Sequence, residues 1–80
     1  MLRITELARQ TGASIDEIHY LEKKGIVHSN KVRLKQRAVR QFSEESIRPI
    51  ALIIKYRRQG FTWNVANEKA HQEINKPSLF

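Results

Sequence analysis

Gly12 and Gly25 bracket twelve residues, ASIDEIHYLEKK, with room for one short helix and little else. Ser14 followed three positions later by Glu17 has the spacing of a capping box, in which the serine hydroxyl takes the glutamate's backbone N–H and the carboxylate takes the serine's. The spacing predicts a helix from residue 14 to about residue 24, stopped by Gly25. Upstream, Thr5 is placed to cap a first helix over residues 6–11, with Glu6 beside the positive end of its dipole and Gly12 as its stop. Leu7, Ala8, Ile18 and Leu21 then fall where the two helices must face each other, and Ala8 is small enough for a close crossing. Two short helices joined through Gly12-Ala13 make a helix-turn-helix candidate.

Beyond Gly25 the helical signals stop. Lys31-Val32-Arg33-Leu34 and Ala38-Val39-Arg40-Gln41-Phe42 alternate apolar and polar residues, which predicts a small hairpin with cationic side chains along one side and at the tip. Its connection, Lys35-Gln36-Arg37, contains no Gly or Asn, so a tight two-residue turn is not expected there. Ser43 and Ser46 are alternative caps for a third helix that runs to about Gln59 and stops at Gly60. With Ser46 as cap, Pro49 sits in the first turn, where its missing N–H costs little; with Ser43 it becomes an interior kink. Ile47, Ile50, Ala51 and Ile54 form the apolar face, while Lys55, Arg57 and Arg58 suit the negative end of the helix dipole. Phe61-Thr62 opens a fourth helix with Trp63, Ala66, Ala70 and Ile74 on one side, Trp63 being expected in the core. Pro77 ends the ordered part, giving one domain over residues 1–76 and a tail over residues 77–80. The expected class is mainly α with a small β-hairpin, about four helices plus a wing.

Charge points to the partner. From Lys23 to Arg40 the chain carries Lys23, Lys24, Lys31, Arg33, Lys35, Arg37 and Arg40 with no acidic residue between them, and these seven cations equal the whole formal net charge of +7. Such a strip on a small domain is the electrostatic footprint of a polyanion partner. Other classes find no support. The longest apolar run, residues 50–54, is far too short to cross a membrane, and the first residues lack the apolar stretch of a signal peptide, so a cytoplasmic location is expected. With no cysteine, the fold must be held by packing alone. His19, His28 and His71 have no spacing suited to a metal, and no nucleophile and base or glycine-rich phosphate loop occurs, so no metal, cofactor or catalysis is expected.

Taken together, "ITELARQTGASIDEIHYLEKKGIV", "RAVRQFSEESI" and "RRQGFTW" resemble the winged-helix DNA-binding domain of the MerR family of bacterial transcription regulators, over residue 2 to about residue 74. The resemblance rests on the helix-turn-helix, on Tyr20 and Glu22 before Gly25-Ile26-Val27, on Arg40 two residues before an aromatic, and on Gly60-Phe61-Thr62. It implies a second helix in the major groove of double-stranded DNA, a wing on the flanking backbone, and DNA contacts from Tyr20 and Arg40. With Ser14, Asp16, His19, Lys23, Lys31, Arg33, Lys35 and Arg37, these form the expected DNA-binding set. Nucleoid association follows, with self-association on DNA or a contact with another protein as further partner expectations.

Departures from the family pattern matter. Family members usually carry basic or small polar residues where this chain has Asp16 and Glu17, an Arg where it has His19, and a second aromatic where it has Leu21. Glu17 is accounted for by the capping box; Asp16 is not, and a cytosine amino group is a partner it can accept from. The chain has neither the long dimerisation helix nor the effector pocket that family regulators carry after the fourth helix, so ligand sensing is not expected. Its MLRITE start and Pro77 favour a free-standing protein over a fragment. A protein-interaction adaptor of the chaperone-modulator type, similar in fold but without DNA binding, is the alternative that the acidic start of the second helix would suit.

Overall fold

The computed structural model describes residues 1–75. In chain order it contains β1 (Leu2–Arg3), α1 (Ile4–Thr11), α2 (Ile15–Lys23), β2 (Ser29–Leu34), β3 (Arg37–Phe42), a 3-10 turn (Glu44–Ser46), α3 (Ile47–Arg58) and α4 (Trp63–Asn75). The fold is a winged helix-turn-helix in which β2 and β3 form the wing and the antiparallel sheet has the order β1-β3-β2.

The turn between α1 and α2 is built from both sides. Gly12 takes the left-handed conformation at φ 78° that glycine adopts without a steric penalty, and its N–H closes on the Ala8 carbonyl. Thr11, the one buried polar residue among the described residues, donates its hydroxyl to the Leu7 carbonyl at 2.7 Å and accepts the Ala13 N–H at 3.2 Å. The capping box forms at both of its hydrogen bonds, 2.8 Å and 3.1 Å. Ala13 and Ile18, the positions before the cap and four residues into the helix, are both buried, which is the arrangement of a hydrophobic staple. Leu7, Ile18, Leu21, Phe42, Ile50 and Ile53 are the largest fully buried side chains and hold α1, α2, β3 and α3 around one core.

Four local expectations are corrected. Helix α1 begins at Ile4, with Arg3 at its cap and no side-chain cap bond, because Leu2 and Arg3 are extended by pairing with Phe42 and Gln41. Thr5 is therefore inside the helix, and the sheet has three strands instead of two. The wing turn is tight: Leu34 pairs with Arg37, leaving only Lys35 and Gln36 in the connection. Register explains this. Ser29 pairs with the buried Phe42 at the base and Val32 with Val39 midway, so the tip must close with two residues, and Lys35 takes φ 37°. For a residue with a Cβ that conformation costs roughly 1–2 kcal/mol.

In α3, Ile50 and Ile54 are buried as expected, but Ile53 is buried too, while Ile47 and Ala51 are only half-buried. Both serine caps are occupied positions: the Ser43 hydroxyl accepts from the Glu45 N–H of the 3-10 turn, and Ser46 precedes α3 without a side-chain bond. Pro49 is the third residue of α3, within the first turn, where backbone N–H groups have no intrahelical acceptor. Thr62 caps α4 by accepting the Val65 N–H at 3.3 Å. Ala66 and Ala70 are buried against the core, and Trp63 and Ile74 are half-buried. The stop at Pro77 and the tail lie outside the described residues.

Candidate nucleic-acid interface

One face of α2 is spent on the core through Ile18 and Leu21, so the helical period leaves Ser14, Ile15, Asp16, His19 and Lys23 facing outward. Each serves the surface differently. Ser14 is engaged in the cap, while Asp16 enters no ion pair among the described residues. Ile15 is 41% exposed and belongs neither to the staple nor to the core cluster. The sequence pattern did not mark it, since an isoleucine beside a cap is ordinarily packed.

Tyr20 lies at the seam between α2 and α4. Its ring centre is 4.8 Å from that of Trp63, tilted by 33°, and the Lys24 ammonium stands 5.6 Å from its centre. The Arg57 guanidinium lies 4.7 Å from the Trp63 ring and donates to the Phe61 carbonyl at 2.7 Å. Lys24, Tyr20, Trp63 and Arg57 thus form a row with an aromatic pair in the middle and a cation at each end, each cation being attracted by ring electrons. Trp63 is accordingly a partly exposed bridge and only in part a core residue.

The wing has two distinct faces. Directly opposed residues of an antiparallel pair share a face, and successive residues along a strand change face. Phe42 therefore shares its face with Arg40, Lys31 and Arg33, and this is the face that turns toward the helices. Leu34, Arg37, Val32 and Val39 share the other. The cations expected along one side are divided: Lys31, Arg33 and Arg40 on the helix-facing side, Arg37 on the reverse, and Lys35 in the turn.

Two ion pairs join α2 to its surroundings. Arg58, at the end of α3, donates to both carboxylate oxygens of Glu17 at 3.0 and 3.1 Å and to the Gly12 carbonyl at 3.3 Å. The hydrogen bond from Arg58 holds the Glu17 carboxyl below the usual carboxylate range, against the opposing effect of partial burial. Arg58 suits the negative end of its helix dipole, and the structure also makes it a clamp across the helix-turn-helix. On the other side, Arg40 Nη1 donates to Glu22 Oε1 at 3.1 Å, and the Ser29 hydroxyl donates to Glu22 Oε2. Of the three acids on α2, two are committed to cations of neighbouring elements.

A fold of this kind, with an outward row on α2 beside a cationic wing, has a counterpart among known families. The family described as "MerR HTH family regulatory protein" matches residues 2–73. This chain belongs to the MerR helix-turn-helix family. As a MerR-family domain it is a DNA-binding regulatory domain, of a family of regulators and not of enzymes. No curated protein matches the chain. Among the described residues, no helix of this MerR-family domain is long and apolar enough to cross a membrane.

Proposed function

We propose that the domain binds double-stranded DNA with α2 in the major groove and the wing along the adjacent backbone. The observation that carries this is the placement of Lys31, Arg33 and Arg40 on the wing face turned toward α2, so that helix and cations can address one duplex from one side. Phosphate contacts from Lys23, Lys31, Arg33, Lys35 and Arg40 supply the affinity. Five such contacts correspond to a slope of log affinity against log salt of about −4 to −5. Arg37, on the reverse face and next to the tip, reaches backbone only where the duplex curves around the wing.

Base discrimination falls to the outward row of α2. Asp16 is suited to a cytosine amino group, His19 and Ser14 to polar base edges, and Ile15 to the methyl group of thymine. Tyr20, braced on Trp63, contributes through its hydroxyl to a phosphate next to the α2–α4 seam. The protein-adaptor alternative draws on an acidic opening to α2, but Glu17 is paired with Arg58, and only Asp16 there enters no ion pair among the described residues.

A fluorescence-anisotropy titration against pooled random duplexes at two salt concentrations tests the proposal. Micromolar binding that weakens steeply with salt is expected. Absence of binding at low salt defeats it and favours a protein partner.

A further inference from the structure

Glu22 sits on α2 and reaches both strands of the wing with one carboxylate: Oε1 takes Arg40 of β3 and Oε2 takes Ser29 of β2. Toward a polyanion this residue has two opposing effects. Its charge repels phosphate, yet its hydrogen bonds restrict a long arginine that would otherwise spend rotamer freedom on binding. Only Nη1 of Arg40 is engaged among the described residues, and the side chain is 41% exposed against 21% for Glu22. A guanidinium has five donors in a fixed fork, so holding one nitrogen leaves further donors to offer a phosphate.

We infer that Glu22 is a positioning residue for DNA binding: it fixes Arg40 and the base of the wing relative to α2, so that both meet one duplex in register. The inference rests on the DNA-binding proposal above and adds to it a specific role for an acid whose charge alone would weaken binding.

The opposing signs make the test sharp. Glu22→Met keeps the side-chain length and removes both the charge and the acceptor. It should weaken binding to a fixed duplex by roughly 3- to 10-fold and flatten the salt slope by about 0.9, the signature of one lost phosphate contact. In an Arg40→Ala background the same change should alter binding by no more than about 2-fold, because the Arg40 contact is already gone and relief of the repulsion offsets loss of the Ser29 bond. Glu22→Gln, which keeps an acceptor at the same reach, should restore the slope and also serves if the Met variant does not fold. Tighter binding by Glu22→Met in both backgrounds overturns the inference, as does weakening by the same factor in both, which is the mark of a structural role. A Gln variant that behaves like the Met variant also overturns it. A wild-type chain that binds no duplex removes the DNA proposal itself, a result distinct from any of these.

Discussion

Asp16 and Glu17 are adjacent acids with different fates, decided by what lies beside each. Glu17 closes the cap of α2 and receives Arg58; Asp16, one residue earlier, is exposed and enters no ion pair among the described residues. If Asp16 reads cytosine, Asp16→Asn should change the preferred sequence recovered from a random pool, since an amide presents a donor where the carboxylate had only acceptors. A uniform gain in affinity across the pool would show instead that Asp16 merely repels phosphate. For Glu17 the expectation is in pH. A carboxyl held below its ordinary range only in the folded chain adds stability above the unfolded carboxylate pKa, and that stability is lost as pH falls through the lower folded value. Thermal unfolding followed on the acid side of the ordinary carboxylate range should therefore decline more gently in Arg58→Met than in the wild type. Parallel declines would take the pair out of the stability balance.

Among the elements, the wing carries the plainest conflict between stability and charge. Lys35 occupies a left-handed turn position that Gly or Asn would fill at less cost, and it supplies a cation at the tip. Lys35→Gly should raise the melting temperature by a few degrees, from roughly 0.5–1 kcal/mol of relieved strain net of the glycine's chain entropy. The same variant should bind duplex DNA more weakly, with a salt slope flatter by about one unit; unchanged binding would remove Lys35 from the interface. The tightness of this turn was not legible in the sequence because it is imposed from the far end of the hairpin, where Phe42 enters the core. Helix α2 was legible almost to the residue, since Ser14, Glu17 and Gly25 act on their own neighbours. What could not be read is what pairs across distance. Glu17 with Arg58 spans 41 positions and Glu22 with Arg40 spans 18, and neither leaves a local pattern. The division of wing cations between two faces likewise needed the register, although their number and sign were plain beforehand.

For the molecule as a whole, Phe42 is the residue through which the sheet and the helices share one core. Phe42→Ala should cost about 3–5 kcal/mol, against a total of roughly 4–12 kcal/mol for a domain of this size. Circular dichroism should show a melting point lowered by well over ten degrees, and near-normal melting would mean that the core closes over the vacancy. The same residue sets an order of events during synthesis. Leu2 pairs with Phe42, so the pairing closes a loop of about forty residues. On a ribosome, which releases a chain from its N-terminal side onward, α1 and α2 can coil as they emerge. The two residues ahead of them must wait for the end of β3 before their backbone finds a partner. Leu2 and Arg3, although made before α1, are thus among the last of these residues to settle, and a nascent chain arrested before Phe42 would leave their backbone unpaired and open to any factor that acts on extended chain.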